Sequence, residues 1–447
     1  MEVDWSVFMK DQDQHMEERY FIIVSFDALS NRDLETLKQL PGFKRLMRDA
    51  SYCTNVYSVY PSNTYPCHSS ISTGMYPMNH GVVSNTLLQI NQKVPDWNWT
   101  RNRIRVDTFY DAAMRKGYTT CALLWPVTGK SKITYNLPEI FPNRFWKNQV
   151  MVSLANGTPA YLIDINSRFK HLRNGRNQPE LDLFVEAAAH YTMKTKRPNI
   201  MMIHFVELDA MRHNHGYDSD EAKKALLSYD QKLSGIYHML DEEGITDKTT
   251  LFVLGDHDQI PVHTAVHLNS VFKDKGLIRT KKQKITDYDV YAHGQDGSCY
   301  IYMKNPEDEE LKAKVLGILE TLKNREDFGI EEIFSREETM AFGANRKAAF
   351  MLEAKRGFFF TDDHTRPALM KLDKDAEGED HHGKSTHGYH PDKENYQTVF
   401  FATGKGIRKN VEIQEMSLID EGPTFARVMG VKLHDTDGRI LREILED

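Results

Sequence analysis

Short apolar runs alternate with longer stretches of three-to-four-residue periodicity through the first two-thirds of the chain. The runs at 21–26 (FIIVSF), 118–124, 199–206 and 250–254 are short and almost wholly apolar, which predicts buried strands. Helical periodicity between them predicts helices over 33–50, 108–116, 179–195 and 219–243. This alternation is the sequence form of βαβ units around a mostly parallel sheet, so an α/β fold is expected. The alternation breaks after His257. From 262 to 383 the pattern is mixed, with a helix expected over 307–323, short strands over 298–303 and 348–352, and an Asp- and Lys-rich stretch over 371–384 that reads as a solvated hairpin or linker. We read 262–383 as a smaller inserted α+β cap domain. A strand at 397–402 and a closing helix at 419–429 then return to the main sheet, so that 18–261 and 384–447 form one catalytic domain. A length of 447 residues suits a large domain carrying an insertion.

Composition narrows the function classes. Hydrophobic residues make up 40% and charged residues 27%, enough apolar material for packed cores. A net charge of -7 offers no broad positive field, which argues against a nucleic-acid polymer as partner. Residues 1–20 are polar and acidic, and no stretch approaches the roughly 20 apolar residues that span a bilayer, so neither membrane insertion nor export is expected and the cytoplasm is the expected location. Cys53, Cys67, Cys121 and Cys299 show no CxxC spacing, which points to reduced thiols.

Three of the strand candidates run into aspartate: 21–26 into Asp27, 199–208 into Asp209 and 250–255 into Asp256. In a parallel sheet the carboxyl ends of strands share one edge, and ligands bind outside it. Three crowded carboxylates repel unless a cation neutralises them. Each aspartate could equally cap a following helix. His213, four residues after Asp209, and His257, directly after Asp256, favour metal, because mixed carboxylate and imidazole donors suit zinc or manganese. His387, in THGYHP, could complete a site from the same edge. His204, His215, His364, His381 and His382 carry no assignment.

The segment PSNTYPCHSSISTG (61–74) places Thr64 at the tip of a turn, with a helix expected to begin near His68. A hydroxyl there sits where free N–H groups favour an anion, and a nearby cation would make it nucleophilic. Helix capping is the alternative role.

In order, FIIVSFD27, PSNT64YPCHSSISTGMYPMNHGVVSN85, ELD209AMRH213, LGD256H257 and STH387GY make the chain resemble the alkaline phosphatase superfamily, and within it the nucleotide pyrophosphatase/phosphodiesterase branch of bacterial type. The resemblance extends to SLIDEGPTFARVMGV and DGRIL near the end. It implies an α/β/α sandwich and two divalent metal ions, usually zinc, about 4 Å apart. One ion would be held by Asp209, His213 and His387, the other by Asp27, Asp256 and His257 with Thr64 beside it. Thr64 would attack phosphorus, and Asn85 would donate to a phosphoryl oxygen.

Three positions depart from the family pattern: Cys67 where asparagine is common, Arg212 where glycine is common and Asp258 where glycine usually follows the Asp-His pair. None removes a ligand, but Cys67 and Arg212 are expected near the phosphoryl pocket and Asp258 near a metal. The CxPxR pattern of sulfatases is absent. The leading expectation is a phosphodiesterase or pyrophosphatase acting on a small phosphodiester or nucleotide. Alternatives are a hydrolase resembling phosphonoacetate hydrolase, with Lys130 and Lys132 as pocket lysines, a phosphomonoesterase, and a non-catalytic metal-binding module. Trp125, Phe141 and Trp146 could stack on a base or pack the interior.

Overall fold

The computed structural model describes residues 18–144, 146–372 and 383–446. Strands form at the four apolar runs, as β1 (Tyr20–Phe26), β3 (Thr120–Leu123), β5 (Ile200–Phe205) and β6 (Thr249–Leu254), and also at the more polar β2 (Ser51–Tyr57) and β4 (Tyr135–Leu137). They share one eight-stranded sheet in the order Met416–Ser417, β2, Thr398–Gly404, β6, β1, β5, β3, β4. β1 pairs in parallel with β5 and β6, and β3 in parallel with β5 and β4. Thr398–Gly404 runs antiparallel to both of its neighbours.

Alternate side chains on a strand point to opposite faces, and the central strands are apolar at nearly every position, so both faces must be covered. Ile22, Val24 and Phe26 join Met201, Ile203, Leu251 and Val253 in one core, under the helices Pro41–Asp49, Glu180–Lys196 and Asp220–Glu242. Phe21, Ile23, Met202 and Phe252 join a second core, under Thr64–Thr73, Phe109–Arg115 and Glu421–Val428. The result is an α/β/α sandwich with a mostly parallel sheet, as expected.

Three local expectations need correction. The helix expected over 33–50 is a single turn, Asn31–Asp33, followed by Leu34–Leu37 and Pro41–Asp49. Pro41 forces the residue before it to be extended, and Leu40 has ψ 148. Second, β5 stops at Phe205, and Asp209 stands in the first turn of the helix Glu207–His215 rather than at a strand end. Third, the helix expected near His68 begins at Thr64. Pro66 suggests a later start, yet it falls in the first turn, where a missing N–H costs no helical bond.

After β6 the chain enters a second region. An antiparallel sheet of Val290–Gln295, Ser298–Met303, Phe350–Ala354 and Ile330–Ser335 is covered by the helix Glu309–Lys323, whose Val315 and Leu319 belong to a separate core. The return is by Ser385–Thr386, which pairs with Ile260 and Pro261 just beyond the end of β6. That pairing delivers His387 to the edge that carries Asp256. Most of the hairpin or linker expected over 371–384, with His381 and His382, lies outside the described residues, as do residues 1–17. Among the described residues no helix is long and apolar enough to cross a membrane.

Gly255 makes the turn from β6 to Asp256 in a space that admits no side chain. A Cβ there would lie 2.0 Å from the Leu29 carbonyl oxygen and 2.3 Å from Thr398 Oγ1. Gly255→Ala is expected to cost about 1–3 kcal/mol through overpacking, read as a lower urea midpoint at unchanged slope. An unchanged midpoint would show that the turn can give way.

Candidate active site

Asp27 follows β1 directly, and its backbone N–H donates to the Phe205 carbonyl at 2.9 Å, which ties the ends of β1 and β5 together. Asp256 Oδ1 accepts the backbone N–H groups of Ala28 at 3.2 Å and His257 at 3.0 Å, so Oδ2 is turned inward. His257 Nε2 lies 3.4 Å from Asp256 Oδ2, 3.4 Å from Asp27 Oδ1 and 3.1 Å from Thr64 Oγ1. Asp27 Oδ1 and Asp256 Oδ2 are buried without a hydrogen-bond partner. Unpaired buried oxygens are costly. Donors about 2.0–2.1 Å from a tetrahedral zinc ion stand roughly 3.3 Å apart, so this set has the spacing to hold one ion. Asp27, Asp256 and His257 are one of the groups able to do so.

The second set lies alongside. Asp209 and His213 sit one helical turn apart, with Asp209 Oδ1 3.3 Å from His213 Nε2 and 4.0 Å from His387 Nε2. Asp209, His257 and His387 can also surround an ion, and the rings of His257 and His387 stack at 4.1 Å. The outer nitrogens are fixed: His213 Nδ1 donates to the Ser385 carbonyl at 2.7 Å, and His387 Nδ1 to Asn63 Oδ1 at 2.7 Å. Both rings therefore turn Nε2 inward, where it could offer its lone pair to a cation, the orientation that metal-binding histidines adopt. Gln259 Nε2 donates to Asp209 Oδ1 at 2.6 Å.

The electrostatics match the geometry. Burial, followed by the charges of Asp209 and Asp256, pushes Asp27 well above the usual carboxylate range, and burial with Asp209 does the same to Asp256. For Asp209 burial acts upward, but His213 and the neighbouring histidines outweigh it and hold the group low. Burial pulls His213 down, yet Asp209 raises it to about 9. Burial and the nearby His387 lower His257. The ion pairs of these three aspartates among the described residues are all with histidines, so no Lys or Arg balances them.

Thr64 is the first residue of its helix, and Asn63 is the N-cap with extended backbone. The Asn63 side chain makes no capping bond; its oxygen is spent on His387 instead. In the first turn the Tyr65 N–H goes to Asn85, Pro66 has none and the Cys67 N–H bonds the Asn63 carbonyl, so the Thr64 N–H is the one left to face an anion. Asn85 Oδ1 accepts the Tyr65 backbone N–H at 2.9 Å, which leaves the Asn85 amide nitrogen as the end that can donate.

All seven expected ligand positions and Asn85 are brought to one edge. The sequence reading missed their supports, Asn63, Gln259, Ser385 and His68, and the buried His204 ring 3.3 Å from Asp27. Asn63 and His68 flank Thr64 in the quoted motif, but nothing local marks His204 or Gln259.

The departing residues do not enter the site as expected. Cys67 is packed in the second core with its sulfur 3.1 Å from Ser58 Oγ. Arg212 is fully buried, donating to the Ala28 carbonyl at 2.6 Å and Asp33 Oδ1 at 2.5 Å, with the Tyr217 ring 3.8 Å away. Asp258 is turned from the metal donors toward Arg32, at 2.6 Å, and Arg212, at 3.6 Å. Lys130 and Lys132 are exposed and bond to no site residue among those described. Trp125 is buried and donates to Ser72 Oγ at 3.1 Å, whereas Phe141 packs edge-on against Trp97 and Trp99, and Trp146 is largely exposed.

The model of the family described as type I phosphodiesterase / nucleotide pyrophosphatase matches residues 21–390. Venom phosphodiesterase 2 of Crotalus adamanteus is 23% identical over 301 residues, covering 63% of this chain and 33% of the venom protein. Human ectonucleotide pyrophosphatase/phosphodiesterase family member 1 is 25% identical over 244 residues, 53% of this chain and 23% of the relative. The chain thus matches a third or less of the length of these relatives. Murine ectonucleotide pyrophosphatase/phosphodiesterase 5 superposes with a TM-score of 0.66 at 17% identity, covering 96% of this chain and all of the other. An inactive threonine-to-alanine variant of that murine protein, in complex with AMP, gives 0.65.

Removing one partner of a buried ion network leaves the others charged and unpaired. Arg212→Ala should therefore lower stability by about 3–5 kcal/mol, measured by urea unfolding. A loss under about 1 kcal/mol would mean that water replaces the guanidinium.

Proposed function

Because the chain belongs to the type I phosphodiesterase / nucleotide pyrophosphatase family, we propose that it hydrolyses phosphodiester or pyrophosphate bonds in small, nucleotide-like substrates through a phospho-threonine on Thr64. The observation that carries this is Thr64 Oγ1 at a helix N-terminus, 3.1 Å from His257 Nε2 and beside two unpartnered carboxylate oxygens. The AMP complex of the murine neighbour supports the nucleotide part of the reading.

Asp27, Asp256, His257 and Thr64 would hold one divalent ion, and Asp209, His213 and His387 a second; zinc or manganese suits these donors. Such a pair lowers the pKa of the threonine hydroxyl and offsets charge on the phosphoryl oxygens. Thr64 Oγ forms the new P–O bond while the bond to the leaving alcohol or phosphate breaks and that group takes up a proton. Water then cleaves the threonine ester and restores the hydroxyl. Asn85 donates its amide to a phosphoryl oxygen, and the Thr64 N–H at the positive end of the helix adds to the potential there. In the same reading 18–261 and 384–447 form the catalytic unit and 262–383 the inserted one, supported by a core drawn mostly from 262–383, which Ile260, Tyr389 and Tyr396 join. The cytoplasm is the compartment this reading assigns, supported by four buried, unpaired thiols.

Thr64→Ala should lower turnover by about a thousandfold or more while the protein still binds two ions; Thr64→Ser should keep part of the activity. Chelation should abolish wild-type turnover and added zinc or manganese restore it. Wild-type rates in the alanine variant, or full activity after thorough stripping, would refute the mechanism.

The ester class follows from charge. A monoester dianion presents three free oxygens and calls for an additional cation, whereas a diester carries one charge. Arg212, the only guanidinium next to a ligand histidine in sequence, is committed to Asp33 and Ala28. Purified enzyme should therefore hydrolyse bis-p-nitrophenyl phosphate faster than p-nitrophenyl phosphate. The reverse preference would place the chain among the monoesterases.

A further inference from the structure

We infer that the second region sets the position of the phosphoryl donor Asn85, with His293 as the positioning residue that ties it down; this rests on the role proposed for Asn85. Asn85 lies on the loop that follows the short helix Pro77–His80. Within that loop the Asn98 N–H donates to the Asn85 carbonyl at 2.9 Å, and the Asn98 side-chain amide donates to the Ser84 carbonyl at 2.7 Å. Three further ties come from the second region. Tyr300, on the strand Ser298–Met303, donates its hydroxyl to the Val83 carbonyl at 3.2 Å. The Asn91 side chain exchanges two bonds of 2.8 Å with the backbone N–H and carbonyl of Ile285. Between them in sequence, His293 Nε2 bonds Ser84 Oγ at 3.4 Å, on the residue directly before the donor.

The direction of that bond follows from its neighbours. Ser84 Oγ donates its proton to the Thr86 carbonyl at 2.5 Å and accepts the Thr86 N–H at 3.1 Å, so toward His293 it offers a lone pair and the ring supplies the proton. His293 is buried, and its Nδ1 donates to Asp362 Oδ2 at 2.8 Å. Burial acts to lower the ring, but the Asp362 charge outweighs it and holds His293 above its ordinary range, which favours a proton on both nitrogens. Asp362 is fixed in turn, since its Oδ1 accepts the Gly294 N–H at 2.6 Å. A chain of bonds thus runs from Asp362 through His293 to Ser84 and ends beside Asn85, whose own Oδ1 is held by the Tyr65 N–H. With backbone and Oδ1 both fixed, the direction of the Asn85 amide nitrogen is set. Ser84, His293 and Asp362 stand in the order of a nucleophilic triad, but the buried Ser84 hydroxyl is spent on Thr86, so we assign them to positioning and not to a second reaction.

The test is a double-mutant cycle on hydrolysis of bis-p-nitrophenyl phosphate by the zinc-loaded full chain, with His293→Phe and His293→Gln each made alone and together with Asn85→Ala. Asn85→Ala should lower kcat/KM by about 100- to 1,000-fold. His293→Phe, which fills the space without a donor, should lower it by about 10- to 100-fold at unchanged zinc content, yet cost nothing further once Asn85 is gone. Glutamine, whose amide can donate to Ser84, should recover part of the loss. Hydrogen exchange at Thr86, whose N–H bonds Ser84 Oγ, needs no turnover; it should quicken in His293→Phe and less so in His293→Gln. A His293→Phe loss of the same size in the Asn85→Ala background, no loss at all, equal losses in both variants, or unchanged exchange would each overturn the inference. If His293→Phe does not fold, Tyr300→Phe, which removes only the hydroxyl on Val83, takes its place, with the same absence of a further loss in the Asn85→Ala background. A wild type that hydrolyses no phosphodiester, or an Asn85→Ala variant at full rate, would instead refute the proposed function.

Discussion

Three carboxylates, the buried Asp27 and Asp256 and the half-buried Asp209, are held together with no lysine or arginine among the described residues to balance them, and the rest of the site is arranged around that repulsion. Buried like charges resist ionisation unless a cation joins them. Two of these groups leave an oxygen buried and unpaired, aimed at the same imidazole nitrogen. A fold that selects such a cluster bears its cost for function, because an apolar filling of that edge would be more stable.

The supports of the cluster come from far apart in the chain. Asn63 gives up its capping bond to orient His387, the Ser385 carbonyl orients His213, and two backbone amides turn Asp256. Each fixes one atom of a ligand by occupying the other. The pairing of Ser385–Thr386 with Pro261 and Ile260 closes the arrangement, since it brings His387 back after more than a hundred residues.

A second charged network, Arg32, Asp33, Arg212, Tyr217 and Asp258, lies next to the first and has the opposite logic. It contains its own cations, each paired, with both guanidinium groups 3.8 Å from the Tyr217 ring. Two departures from the family pattern, Arg212 and Asp258, are partners in this network. They explain one another better than either explains a substrate.

The sequence by itself determined the α/β class, the order of the central elements, and which residues are candidates for nucleophile and metal donors. Those rest on local properties: apolar periodicity along strands, and carboxylate and imidazole chemistry at their ends. Even there Asp209 moved from a strand end to a helix, and the nucleophile helix began four residues early, because proline in a first turn resembles a break. Tertiary structure decided the rest. Whether Arg212 faced a phosphate or a buried aspartate, and which oxygen of each carboxylate faced inward, depend on contacts between residues scores to hundreds of positions apart. Such contacts are fixed by sheet order and helix packing, and no local pattern along the chain encodes the direction in which a side chain is turned.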